Sequence, residues 1–384
     1  MQKRETFLPM SRPDITEIEI REVVDVLKSG WITSGPKTAE FEREFARRCD
    51  APCAIAVSSA TAGLQILFHA LGLGPEDEVI TPSMTFASTV NQIALCGAKP
   101  VFVDCAYGTL NLQVAQVADR MTSRTRAILA VHFAGLPCDL DPLRELARKR
   151  GVVLIEDAAH ALGSRYKGRP IGSGPNPALF SFHPIKNITT GEGGMITLHD
   201  PDLDRRLRLL RFHGIERDAW RRYGKGGDPG YDVHEPGFKF NLTDLQSALG
   251  LGQLRRLEEM NQRRRSIALQ YEEMLRGVGG IDLPENPGYA VHHSWHLFVV
   301  KVSAMDREAF MCGLAEWNIG YGLHFPPCHL LSYVRKAWGT CRGNLPDTER
   351  AGDRIVSLPL FPTMTDADVR YVAAVVCDIL KGVH

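Results

Sequence analysis

Ser181-Phe-His-Pro-Ile-Lys186-Asn-Ile-Thr-Thr-Gly-Glu-Gly-Gly194 is the segment of the chain that constrains its structure most. A strand-like run ends at Ser181, and Lys186 follows in a short loop. The glycines at 191, 193 and 194 have the spacing expected where a backbone passes close to a bulky neighbour. A lysine is most often a surface charge, but this context favours a neutral amine in a desolvated pocket, where it can form a Schiff base.

A second segment, Val152-Val-Leu-Ile-Glu-Asp157, ends an apolar run with a carboxylate, which is costly to bury unless it is paired. Asp157 could cap a helix that begins at Ala158, or it could face a cationic ring nitrogen. A protonated ring nitrogen about 4 Å away would be favoured by about 4 kcal/mol at an effective dielectric of about 20, so we favour the second role. Lys186, Asp157 and a phosphate held by Ser181 together predict a pyridoxal 5'-phosphate (PLP) site.

Three further groups fit the same cofactor. Ser58-Ser-Ala60-Thr61-Ala-Gly63 closes a strand and opens a helix, so its amides and hydroxyls form a candidate phosphate site. Phe86 could stack on a planar ring, although an aromatic residue at a helix start is most often part of the core. His160 could reach the phenolic oxygen or the ring face, or it could be a satisfied core histidine.

Short apolar runs alternate with helical patterns along the chain. Strands are predicted at residues 54–57, 78–80, 100–103, 127–131, 152–156, 178–181 and 195–198, and helices at 15–28, 61–71, 86–95, 142–149, 201–212, about 241–275 and 307–317. This order predicts an α/β fold with a mostly parallel sheet of these seven strands and a ligand at their carboxyl ends. We predict an N-terminal arm (1–13), a large PLP-binding domain (14–255) and a small α+β C-terminal domain (256–384), with a mobile loop over 216–235.

Composition excludes several classes of protein. The 384 residues contain 45 basic and 45 acidic side chains, so no net field draws nucleic acid. No run of 18 apolar residues predicts a membrane span, and the nine cysteines lack Cys-x-x-Cys pairs, so we predict a cytoplasmic protein with reduced thiols. The cluster His292-His-Ser-Trp-His296 lacks metal-ligand spacing, and no metal is predicted. No dinucleotide glycine fingerprint follows a strand, which disfavours an oxidoreductase.

The chain resembles the sugar aminotransferases, the nucleotide-sugar branch of PLP fold type I (aspartate aminotransferase-like) enzymes. The similarity extends over nearly the whole chain and is carried by residues 7–13, 29–36, 57–63, 156–160, 181–186, 237–244, 293–298 and 358–362. It implies that Lys186 is the Schiff-base lysine, that Asp157 contacts the ring nitrogen and that His160 lies near the phenolic oxygen. It also implies that Ser181, Ala60 and Thr61 bind the phosphate and that Phe86 stacks on the ring.

The same resemblance implies a homodimer with shared active sites, in which Lys239 and Asn241 reach the cofactor phosphate of the neighbouring subunit. Within the family, the chain is most similar to the UDP-4-amino-4-deoxy-L-arabinose aminotransferases of lipid A modification. That similarity implies a UDP-linked 4-ketopentose as substrate and glutamate as amino donor. Predicted sugar contacts are Trp31, Thr33, Ser34 and His324, and the basic residues 217–225 are predicted near the diphosphate.

Several alternatives stay open at this point. The segment Phe325-Pro-Pro-Cys-His-Leu330 differs from the arabinose branch, so another UDP-, dTDP- or GDP-linked ketosugar is the alternative substrate. A PLP-dependent sugar dehydratase is disfavoured because dehydratases of the family carry histidine at the position of Lys186. A regulatory homologue without turnover is disfavoured because Lys186, Asp157 and Ser181 are all present.

Overall fold

The computed structural model describes residues 2–216, 230–303 and 305–382. Most of the predicted mobile loop and all of the basic segment 217–225 therefore lie outside the described residues. The helices are α1 (Glu17–Ser29), α2 (Pro36–Cys49), α3 (Ala60–Ala70), α4 (Ala87–Leu95), α5 (Val114–Arg120), α6 (Leu140–Arg150), α7 (Pro201–Arg211), α8 (Asp244–Leu275), α9 (Arg307–Glu316), α10 (Ser332–Trp338), α11 (Pro346–Gly352) and α12 (Asp366–Leu380). The strands are β1 (Cys53–Val57), β2 (Glu78–Pro82), β3 (Lys99–Val103), β4 (Thr125–Val131), β5 (Val153–Asp157), β6 (Arg165–Tyr166), β7 (Arg169–Pro170), β8 (Ala178–Ser181), β9 (Gly194–Leu198), β10 (Ile281–Asp282), β11 (Val291–His292), β12 (Phe298–Val302) and β13 (Ile355–Leu358).

The main sheet has seven strands in the order β1-β9-β8-β5-β4-β2-β3. Every strand is parallel to the others except β9, which pairs antiparallel with both β1 and β8. The strands of the main sheet are almost wholly buried, as expected for a sheet that is covered on both faces. The predicted α/β fold with a mostly parallel sheet is confirmed, and the carboxyl ends of β1, β8, β5, β4 and β2 lie at one edge.

Helix α2 was not predicted, because the Gly35-Pro36 pair indicates a turn. Pro36 instead occupies the first turn of the helix, where its missing N–H costs nothing. Phe41, Phe45 and Cys49 then form a buried stripe at helical spacing. The ring of Phe41 packs against Phe182, and the ring of Phe45 packs against Phe180, in the segment that leads to the lysine loop.

The C-terminal part of the chain builds a second core around a three-stranded sheet of order β10-β12-β13. Helix α8 connects the two cores: Leu257 and Met260 pack with the large sheet, whereas Ile267 and Tyr271 pack with the C-terminal residues. The predicted boundary after residue 255 falls within this continuous helix. The division into 1–13, 14–255 and 256–384 stays a prediction.

Candidate active site

A cavity of about 570 Å³ opens at the carboxyl ends of the sheet strands. Eight of the residues predicted from sequence line it, and they are Ala60, Thr61, Phe86, Asp157, His160, Ser181, Lys186 and His324. Asp157 ends β5 and Ser181 ends β8, and these two strands are direct neighbours in the sheet. Chain topology therefore brings together groups that are distant in sequence, as expected for an open α/β sheet.

The loop that carries Lys186 is held by short backbone contacts. The amide of Lys186 donates to the carbonyl of His183 at 2.8 Å, and the chain then returns into β9 through Gly194. A Cβ atom at Gly194 would lie 2.5 Å from the amide nitrogen of Ala60, so only glycine fits where β9 passes the start of α3. The predicted close passage is confirmed at Gly193 and Gly194, and at Gly194 the neighbour is the helix start itself. At Gly191 it is wrong, because nothing lies within 4 Å there and glycine instead serves a φ of +78°.

The amine of Lys186 has a pKa close to neutral pH. Burial lowers the pKa of Lys186 from its ordinary value of 10.5 to about 8, while the Asp157 carboxylate opposes this shift. A substantial fraction of the amine is thus unprotonated at mildly alkaline pH, which is what covalent attachment to an aldehyde requires. No neighbouring cation contributes to the lowering of this pKa among the described residues.

Asp157 lies at the base of the cavity. Burial raises the pKa of its carboxyl, while the Ala159 N–H, which donates at 3.1 Å, and the Lys186 amine lower it. Residues 158–164 form turns rather than a helix, which excludes the helix N-cap alternative. The carboxylate accepts from the Ala159 amide and also interacts with the Thr89 hydroxyl, which leaves part of its acceptor capacity to face a cationic group.

His160 is held as a neutral ring. Its Nδ1 accepts from the Ala134 N–H at 3.3 Å, so the proton resides on Nε2. Burial, and then the charges of Lys186 and His324, keep the pKa of His160 well below its ordinary range. The ring stacks 5.8 Å from Phe325 and lies 4.3 Å from His296. His160 can consequently donate a hydrogen bond without carrying a charge.

The start of α3 contributes helix-start amides to one side of the cavity. Ser59 caps the helix by accepting from the Ala62 N–H at 3.0 Å, while Ala60 and Thr61 line the cavity. First-turn amides of a helix lack intrahelical acceptors and carry partial positive charge. Phe86, at the start of α4, is 60 % exposed, so the interpretation as a core aromatic is wrong.

The other five predicted residues form a second cluster that does not line this cavity: Trp31, Thr33, Ser34, Lys239 and Asn241. The Asn241 side-chain amide donates to Ser34 Oγ at 2.6 Å, and the Trp31 indole N–H donates to the Ser34 carbonyl at 3.1 Å. The Asp244 amide donates to the Thr33 carbonyl at 3.2 Å, and Lys239 is hydrogen-bonded to Asn241. Two separate groups of predicted residues therefore exist within one subunit.

Sequence reasoning missed the C-terminal wall of the cavity, which we define as residues 323–331. Leu323, Phe325, Pro326, Cys328 and Leu331 join His324 there. Burial, and then Lys186, lower the pKa of His324 to about 4. His296, beneath His160, was also missed, and both of its ring nitrogens are buried without a hydrogen-bond partner among the described residues. Only the repeated histidines in 292–296 could have indicated it.

No group of three or more His, Cys, Asp and Glu side chains that could hold a metal ion occurs within residues 2–216, 230–303 and 305–382. In the same part of the chain, every helix is too short or too polar to cross a membrane.

The fold and the cavity define a PLP-dependent aminotransferase of fold type I. The model of the DegT/DnrJ/EryC1/StrS aminotransferase family matches residues 13–377, and the chain belongs to this family. The cofactor and the class of reaction predicted from the sequence are thereby confirmed.

Individual relatives cover almost the full chain. A Shewanella sediminis protein named UDP-4-amino-4-deoxy-L-arabinose–oxoglutarate aminotransferase is 46% identical over 97% of this chain and 98% of its own length. An uncharacterized protein of Methanocaldococcus jannaschii is 44% identical over 95% of this chain and 96% of its own length. A putative sugar aminotransferase from Streptococcus pneumoniae, in its pyridoxamine phosphate form, superposes with a TM-score of 0.91 at 34% identity, covering 98% of this chain and 100% of that chain. The protein is a sugar aminotransferase.

Proposed function

We propose that the protein transfers the amino group of glutamate to the ketone of a UDP-linked 4-ketopentose, giving the 4-amino sugar and 2-oxoglutarate. The observation that carries this substrate assignment is the 46% identity to the Shewanella relative, whose name specifies that sugar and oxoglutarate. The chemistry of the cavity is compatible, because it combines an amine whose pKa burial lowers to about 8 with the amides of a helix start and an apolar wall. Another nucleotide-linked ketosugar is the second candidate, since the segment 325–330 that differs from the arabinose branch forms most of the wall 323–331.

The residues present fit PLP. A desolvated amine lies near a carboxylate at the end of the neighbouring strand, and the first turn of α3 offers amides to a phosphate together with Ser181. We assign the phosphate to Ser181, Ala60 and Thr61, and the ring to Asp157, His160 and Phe86. When bound, PLP supplies the aldehyde that carries the amino group and a ring that takes up negative charge.

Lys186 would act twice in the reaction. Its amine would hold the aldehyde of the cofactor covalently in the resting enzyme. Once glutamate has displaced it, the free amine would move the proton at the substrate carbon atom that gains or loses nitrogen. A pKa of about 8 suits both tasks, because the free amine can take up a proton and return it near neutral pH.

Asp157 and His160 would tune the cofactor electrostatically. The Asp157 carboxylate stabilises a protonated ring nitrogen, which increases the capacity of the ring to accept charge. A neutral His160 donates its Nε2 proton toward the phenolic oxygen and adds no positive charge that would raise the cost of burial.

We further propose a homodimer in which Lys239 and Asn241 reach the phosphate in the neighbouring subunit, and Trp31, Thr33 and Ser34 reach its sugar. Two observations support this arrangement. These residues cluster outside the cavity of their own subunit. In addition, Ile20, Val24 and Leu27 form an exposed apolar stripe on α1, and apolar stripes of this kind mark interfaces.

Amination assays with purified protein test the function. Wild type and Lys186→Ala are incubated with PLP, glutamate and a panel of UDP-, dTDP- and GDP-linked 4-ketosugars, and 2-oxoglutarate is measured. We expect the UDP-4-ketopentose to have the highest kcat/KM and the variant to have almost no turnover. Substantial turnover by Lys186→Ala would refute the role of that residue, and a preference for another nucleotide or sugar would refute the substrate.

A further inference from the structure

The wall of the cavity is supported from behind by a buried polar chain that the reaction itself does not use. Ser83 and His329 are both fully buried, and Glu349 is 8% exposed. Ser83 follows β2, His329 lies within the wall, and Glu349 belongs to α11. These residues come from three distant parts of the sequence and meet directly beside the cavity.

The hydrogen bonds that join Ser83, His329 and Glu349 run in one direction, from the serine to the acid. The backbone N–H of His329 donates to Ser83 Oγ at 3.0 Å, so the Ser83 hydroxyl is free to donate its own proton to His329 Nδ1 at 2.7 Å. The ring then carries its proton on Nε2 and donates it to Glu349 Oε1 at 3.1 Å. Glu349 is fixed in turn by the amides of Gly343 at 2.9 Å and Leu345 at 3.1 Å.

This order of serine, histidine and acid also occurs in hydrolases, but the residues here cannot work in that way. Ser83 is fully buried, and its hydroxyl oxygen already accepts one hydrogen bond while its proton serves another. A substrate carbonyl has no route to it. The three hydrogen-bonded residues therefore have a positioning role.

Further bonds fasten the wall to the residues that follow β2. The Cys328 N–H donates to the Ser83 carbonyl at 2.9 Å, and the Cys328 thiol donates to the Thr85 carbonyl at 3.1 Å. Thr85 and Phe86 line the cavity themselves. The wall and the residues that follow β2 thus form one connected surface of the cavity.

We propose that Ser83, His329 and Glu349 are positioning residues that fix the wall 323–331, and so set the affinity for the ketosugar without touching it. This inference rests on the proposed function, because the wall faces a sugar only if the cavity binds one. Fixing the wall before substrate arrives lowers the ordering cost of binding.

The test compares Ser83→Ala with Tyr271→Phe in the holoenzyme. Both variants remove one buried hydroxyl, but the Tyr271 hydroxyl donates to the Pro359 carbonyl at 2.9 Å in the C-terminal core. In Ser83→Ala we expect the KM for the ketosugar to rise about tenfold, the size expected for one lost buried hydrogen bond, with kcat and the half-reaction with glutamate near wild type. Tyr271→Phe should lower thermal stability and leave this KM unchanged.

Amide hydrogen exchange of the peptide that contains 323–331 gives a readout that needs no substrate. We expect faster exchange there in Ser83→Ala alone. An unchanged ketosugar KM, or exchange in this peptide that is unaltered or increases equally in both variants, would overturn the proposal. If the wild type aminates no nucleotide-linked ketosugar, the proposed function fails, and the exchange data still decide whether Ser83 holds the wall.

Discussion

Lys186 owes its reactivity to burial. The sequence favours a desolvated lysine, and in the structure burial lowers its pKa, with only Asp157 acting against the shift. An amine of this kind is charged below about pH 8 and neutral above it. We therefore expect the rate at which the apoprotein captures PLP to rise with pH around a midpoint near 8, followed by the absorbance of bound cofactor. A midpoint at the ordinary lysine value of 10.5 would show that the amine is not desolvated.

Asp157 provides a second prediction at the residue scale. Asp157→Asn keeps the shape of the side chain and its acceptor for the Ala159 N–H, but it removes the negative charge. Losing about 4 kcal/mol of charge stabilisation lowers kcat by about 1,000-fold. Steady-state kinetics with saturating PLP checks this, and His160→Gln, which retains a donor, should lose much less. Equal losses in the two variants would contradict the assignment of the charge to Asp157.

The contact between Gly194 and α3 is a property of two elements. A methyl group at Gly194 would lie 2.5 Å from Ala60 N and 2.6 Å from Ser59 C, so β9 and the start of α3 must separate. Gly194→Ala should cost about 1–3 kcal/mol of stability and weaken PLP binding, because the displaced amides belong to the candidate phosphate site. Thermal unfolding and PLP titration measure both effects. Gly279→Ala is the control, since nothing lies within 4 Å of the added atom, and equal effects in both variants would count against the contact.

Sequence patterns predicted the elements well where apolar runs were continuous. The seven strands of the main sheet were predicted to within a few residues, because buried parallel strands consist of uninterrupted apolar residues. The site residues at the ends of β5 and β8 follow from that prediction. Apart from His324, the wall 323–331 could not be predicted, since its position depends on contacts with residues 83–85, far away in the sequence.

Helix α1 shows a different limit. The apolar spacing of residues 15–28 predicted a helix, but Ile20, Val24 and Leu27 are exposed, whereas Glu19 is buried. Glu19 belongs to the capping box of Thr16 and also accepts from Gln253 at 3.0 Å and Arg256 at 3.2 Å. Periodicity reveals that a helix has an apolar face, but not whether its own chain or a partner covers that face.

At the scale of the whole molecule, the proposed dimer with shared sites makes a complementation prediction. Lys186→Ala disables the cavity of its own subunit, whereas Asn241→Ala disables the site of the neighbour. Unfolding and refolding the two variants together should yield mixed dimers with one intact site and activity that neither variant has alone. A mixture without recovered activity, despite dimers in light scattering, would contradict shared sites.

The covalent link at Lys186 is the claim on which the account depends, and it can be located directly. The holoprotein is reduced with borohydride and digested, and the peptides are analysed by mass spectrometry. We predict a phosphopyridoxyl adduct on the peptide that contains Lys186, and none in the Lys186→Ala protein. An adduct on a different lysine, or a protein that binds PLP without any reducible link, would contradict the account.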